Sequence, residues 1–327
     1  MSPAARHPRD LCHAEARALV RRAVDKAEQL GLRGAVAVVG ATGTLITASR
    51  MDAGGPGGMA RARSKAWISA TQQIPSSEHL HRMTTIAPPV AAGFAMASPE
   101  ALFPGAGGMP VSVDGVVAAG IAASGATVSP FLPADADPRV LSADGQPANP
   151  EDLLIAYALR RPYAGQHGDD RKRWQERFGD LAVDPAQSLG MAPAPPATGQ
   201  AQLDWATALC DAVMAAAAER GMQVAAAVVD SGGDPVQQDL MDGAPAGAVA
   251  VAQAVAGAAA LFGCDSGELG ARFGSAGAVA ALVVPPVLGV PGGLPVRDGE
   301  RVVAGLGVGG SDPVACEQIV RAALARS

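Results

Sequence analysis

VAVVGATGTLITASRMD, residues Val36–Asp52, and AAVVDSGGDPVQQDLMD, residues Ala226–Asp242, are two copies of one pattern set 190 residues apart. In each, a short apolar run meets a tight glycine-containing turn, here Ala41-Thr42-Gly43 in the first copy. A second extended run then ends on Met-Asp and opens into a small-residue loop that leads to a helix. The pattern reads as a β-hairpin that feeds a binding loop.

The duplication extends well beyond the hairpin. Gly107-Gly108-Met109-Pro110-Val111 is answered by Gly292-Gly293-Leu294-Pro295-Val296, and VAAGIAASG (Val117–Gly125) by VVAGLGVGG (Val302–Gly310). Two units are too few for a solenoid, so the expectation is a pair of like domains mimicking a two-fold dimer in one chain. The first domain is placed at residues 1–183, a Pro-rich linker at 184–202 (with Met191-Ala-Pro-Ala-Pro-Pro) and the second domain at 203–327. Asn149-Pro150 and Asp312-Pro313 each open a helix with a capping side chain and a first-turn proline. In the first copy that signal follows an insertion at about 128–148, and a charged extension at 161–181 follows the helix.

A chain of 327 residues can bury two proper cores. Charged residues make up 17%, the net charge is −6 and aromatics make up 3%, which excludes a phosphate-tracking or base-stacking nucleic-acid binder. Cys12, Cys210, Cys264 and Cys316 have no zinc-like or disulfide-framework spacing and read as small buried hydrophobes. With no signal-peptide-like start and no unbroken apolar span, the expected location is the cytoplasm, away from membranes.

Along the chain, Leu11–Leu30 carries Ala16, Val20, Val24, Ala27 and Leu30 on one stripe, with Arg17, Arg21, Arg22, Asp25 and Lys26 elsewhere and Gly31 as the stop. Met59–Gln72 reads as the helix after the binding loop, and Ser76–Met83 as a short capped turn or helix. Pro88–Pro104 fits a short helix and a strand in either order. Asp114-Gly115 turns a second hairpin.

With both hairpins, the Met-Asp endings, the Gly-Gly-x-Pro-Val entries and the glycine-rich last strands in view, each half resembles the GlcG/HbpS family, which includes haem-binding proteins and the C-terminal domain of PduO-type adenosyltransferases. The resemblance covers about Leu11–Gly125 with Asn149–Arg160, and Leu203–Ser327. It implies an α/β (α+β) profilin-like sandwich in each half, an antiparallel sheet of about five strands flanked by helices, that forms homo-oligomers and in some members binds haem. No haem-ligand motif of the family can be matched residue by residue, so no ligand is carried over.

Candidate chemistry concentrates in the first half. Where the first copy has Arg61, Arg63, Ser64 and Lys65, the second has Val251, Gln253, Ala254 and Val255. Lys65 is a candidate for holding a carboxylate or, if desolvated, for acting as base or nucleophile; the plainer alternative is a solvated helix lysine. Asp52, matched by Asp242, is either a base or a structural acceptor for the next loop, beside Met51. Gly57 and Gly58 stand at a helix start that can receive an anion, with no nucleotide-loop motif around them. Gly107 and Gly108 allow close backbone approach or border a ligand.

All five histidines fall in the first half. His79, His81 and His167 are candidate haem ligands, and the spacing of His79 and His81 does not suit a shared metal, so no metal site is assigned. His167, Asp169 and Arg171 form a charged cluster suited to a lid or interface.

Three functions fit. The preferred one binds a small molecule, a tetrapyrrole such as haem or an anionic metabolite, in the first domain or at the domain seam. A second is a cofactor-free enzyme, of tautomerase, lyase or hydrolase type, moving a proton on a small organic acid held by Lys65 with Asp52 or His167 as base. The third is a non-catalytic accessory subunit. Whether the protein is an enzyme stays open at this point.

Overall fold

The computed structural model describes residues 11–81, 88–103, 105–126, 149–159, 202–273 and 287–326. These fall into a leading unit, 11–159, and a trailing unit, 202–326, each compact in itself. The 128–148 insertion, the 161–181 extension and nearly all of the 184–202 linker lie outside the described residues.

In the leading unit the order is α1 (His13–Gln29), β1 (Ala35–Gly40), β2 (Leu45–Arg50), α2 (Gly58–Gln72), α3 (Ser76–His81), α4 (Pro88–Ala97), β3 (Gly108–Val113), β4 (Val116–Ser124) and α5 (Pro150–Leu159). The trailing unit repeats this order except for α4, whose matching stretch lies largely outside the described residues, as α6 (Gln202–Ala218), β5 (Ala225–Asp230), β6 (Pro235–Leu240), α7 (Ala248–Phe262), α8 (Ser266–Phe273), β7 (Gly293–Asp298), β8 (Arg301–Gly309) and α9 (Pro313–Leu324).

Within the leading unit the strands run β3-β4-β1-β2, and within the trailing unit β7-β8-β5-β6, with every one of these neighbours antiparallel. Even the irregularities repeat: register shifts fall at Val38/Val39 and Val228/Val229, and again at Val111/Ser112 and Val296/Arg297. Among the described residues each unit thus has four strands where about five were expected. Ala101-Leu102-Phe103 is neither helix nor strand, and the apolar segment before it is α4.

Strand alternation makes each unit a helix–sheet–helix sandwich. In β8, Ala304, Leu306 and Val308 enter a core with Ala206, Leu209 and Val213 of α6 and Cys316, Ile319 and Val320 of α9. The intervening Gly305, Gly307 and Gly309 face α7, whose backbone lies so close that an added Cβ would overlap its carbonyl oxygens. The glycine-rich last strand is therefore a packing requirement, and much of the high alanine and glycine content follows from helices seated directly on strands.

The α1 stripe is buried as its period requires, with Ala16 and Ala27 fully enclosed. Lys26, assigned to the polar side by pattern, is buried too, its ammonium 5.0 Å from the centre of the Tyr157 ring. The long stem can pack along apolar surface and the charge can sit over an aromatic face, which simple periodicity does not count. Among the described residues no single helix is long and apolar enough to cross a membrane.

Candidate functional site

α2 begins at Gly58 behind Gly57 and lays three consecutive side chains, Arg63, Ser64 and Lys65, against the chain that precedes β3. Arg63 forms an ion pair with Glu100. Ser64 is buried; its Oγ donates to the Ala101 carbonyl at 2.8 Å and accepts from the Phe103 amide at 2.6 Å. Lys65 is 3% exposed, and its Nζ forms an ion pair with Glu151, donates to the Ala123 carbonyl at 3.3 Å and lies 5.7 Å from the Phe103 ring centre.

Glu151 is held from three sides. Besides Lys65, its Oε1 accepts from the Gly125 and Ala126 amides at 2.8 and 3.2 Å. Its neighbour Asp152 accepts from the Gly107 amide at 2.7 Å, while the Asn149 side chain caps α5 through the Glu151 and Asp152 amides at 2.9 and 3.3 Å. Two carboxylates in the first turn of a helix also meet the positive end of its dipole. Gly107 adopts φ +97°, and a Cβ there would fall 2.6 Å from Glu151 Cβ, so both conformation and space demand glycine. Gly108 lies under the Ser76 and Ser69 hydroxyls, and Ser76 Oγ donates to the Gly105 carbonyl.

A second feature adjoins this one in sequence. His79 of α3 is buried, and its ring meets Phe94 of α4 edge-on at 5.8 Å between centres. Ten residues of α4 carry no charge, and Val90 and Met96 are 72% and 89% exposed. Phe94 and Phe103 are also partly open to solvent.

The candidates from sequence are thus distributed as follows. Lys65, Ser64 and Gly107 meet in one cluster with Gly108 alongside. Met51 is buried and Asp52 half-buried at the end of β2, and Gly57 and Gly58 open α2. His79 stands in the aromatic contact, and His81 closes α3. His167, Asp169 and Arg171 lie outside the described residues. Among the described residues no group of three or more His, Cys, Asp or Glu side chains could hold a metal ion.

Sequence reasoning read Glu151 and Asp152 only as part of a helix start. The signal was available: setting Asn149-Pro150-Glu151-Asp152 beside Asp312-Pro313-Val314-Ala315 shows both carboxylates absent from the second copy, in step with Lys65 and Val255. His79 likewise stands opposite Leu269.

Two copies of one four-stranded sandwich, the first with the buried Lys65–Glu151 pair between α2 and α5 and the second with Val255 and Val314 at the matching positions, define a duplicated α+β protein with unequal halves. The chain belongs to the HbpS-like family: the model of that family, described as haem-degrading protein HbpS-like, matches residues 11–130 and 202–325. Comparison with curated proteins gave no match. Among solved structures, a double-mutant form of HbpS from Streptomyces reticuli is 30% identical, with 42% of this chain and 97% of that chain covered and a TM-score of 0.36. The protein ORFY of Klebsiella pneumoniae is 24% identical, with 40% and 95% covered and a TM-score of 0.35. A complex named PduOC:Heme is 19% identical, with 40% and 96% covered and a TM-score of 0.37.

Proposed function

We propose that the leading unit binds a planar, largely apolar ligand on the surface formed by α4 and Phe103, that haem is the ligand, and that His79 meets its iron. The observation that carries this reading is the edge-on contact of His79 with Phe94, next to an uncharged helix whose Val90 and Met96 stand out in solvent. Exposed apolar side chains gathered on one element mark a binding surface, and an imidazole beside them supplies the usual protein ligand to haem iron. Family membership supports the choice of tetrapyrrole. Leu269 at the matching position of the trailing unit removes the imidazole there. When bound, haem would supply a redox-active iron; the chain's own part would be to cover the macrocycle and present the His79 imidazole to it.

The alternative, proton transfer on a small organic acid held by Lys65, gains no support from the geometry, because the carboxylate that Lys65 holds is Glu151 of the same chain. Titrating the full chain with haemin is expected to give a sharpened, shifted Soret band. His79→Leu is expected to abolish it and His81→Ala to leave it. Identical spectra for the wild type and His79→Leu would overturn the assignment.

A further inference from the structure

The buried Lys65–Glu151 pair is not something this fold needs. In the trailing unit the matching positions are Val255 and Val314, and the same four strands, their register shifts and the helices that answer α2 and α5 form there. Burying an ammonium and a carboxylate costs several kcal/mol of desolvation each, about what their mutual attraction returns, and well-packed apolar residues in their place are often neutral or stabilising. The trailing copy changes both partners together: Val255 is fully buried there, while Val314 lies exposed at the start of α9, so no charge is buried at either position. What the pair touches in the leading unit is specific: Lys65 lies under the Phe103 ring, Glu151 binds the Gly125 and Ala126 amides, and Asp152 next to it binds the Gly107 amide. Arg63 and Ser64 fasten the same stretch at Glu100, Ala101 and Phe103.

We propose that Lys65 and Glu151, with Asp152, are positioning residues that hold Phe103 and Gly105–Gly107 in place for ligand binding. In Lys65→Val/Glu151→Val, which copies the trailing unit, the fold survives while this wall of the ligand surface loosens. The proposal rests on the functional reading above for its ligand but not for its test.

The double variant of the full chain is expected to melt within a few degrees of the wild type and above either single variant, because each single change strands one buried charge. Amide hydrogen exchange at Phe103 and Gly107 is expected to accelerate at least tenfold, with β1 and β4 amides unchanged. Lys65→Arg, which keeps the pair, is expected to retain slow exchange. Unchanged exchange at Phe103 and Gly107, or loss of folding in the double variant, overturns the proposal. Haemin titration of the same proteins reads the function separately: affinity is expected to fall at least tenfold in the double variant, and unchanged affinity would remove the pair from ligand binding. A wild type that binds no haemin would sink the haem reading while leaving the exchange result to judge the positioning role.

Discussion

Gly120 of β4 lies beneath the α2 backbone so closely that a Cβ would overlap the Ala66 carbonyl oxygen and fall 2.5 Å from the Ala70 nitrogen. Gly305 of β8 has the same relation to Ala256, so one close approach of helix to strand has been kept through the duplication. Backbone cannot yield there as a flexible side chain can. Gly120→Ala is expected to destabilise the chain by about 1–3 kcal/mol, the usual cost of overpacking, and Gly120→Val by more. Urea unfolding curves check this; a stability equal to wild type would mean that α2 lifts off the strand freely.

Removing one member of the Lys65–Glu151 pair leaves the other buried at 3–4% exposure without its partner. Lys65→Met is expected to cost about 3–5 kcal/mol, the range for breaking a buried pair. The exposed ion pair of Arg272 with Glu268 on α8 is a control, since Arg272→Ala there should cost less than about 1 kcal/mol. Equal losses at the two sites would show that solvent reaches Lys65.

Much of this fold is legible in the sequence because it is written twice. The hairpins, the Asp-Gly turn, the proline-capped terminal helix and the α1 stripe each rest on local chemistry that needs no tertiary information. Glu151 was not legible as a partner of Lys65, since 86 positions separate them and only the folded chain brings α5 to α2. Lys26 was misplaced for a related reason: its helix period says polar, but the aromatic ring that covers it comes from α5. The stretch Pro88–Phe103 defeated pattern reading because an apolar run without charge looks alike in helix and strand.

At the start of α9 the Asp312 side chain accepts from the Ala315 amide at 3.0 Å, with Pro313 at the first helical position. Asp312→Ala removes this acceptor and is expected to cost about 0.5–2 kcal/mol, read as a lowered melting temperature. Asp312→Asn should recover most of it. A full-sized loss in Asp312→Asn would place the effect in charge and not in the cap.

Burial raises the Cys316 thiol above its ordinary value, and the side chain is almost wholly enclosed by the trailing core. The folded state therefore holds the thiol proton more tightly than the unfolded chain. The stability this contributes is complete below the unfolded thiol pKa of about 8.5 and declines as pH rises above it. Cys316→Ala is expected to flatten that alkaline decline, measured as melting temperature from pH 7 to 10, and native Cys316 should react with a disulfide reagent at least tenfold more slowly than Cys12.

Ligand binding by only one of two like-folded halves is tested most directly by stoichiometry. Titrating the full chain with haemin and following the Soret band to its break point is predicted to give one haemin per chain. A break at two per chain would give the trailing unit a site of its own, and no saturable change at all would remove haem from the account.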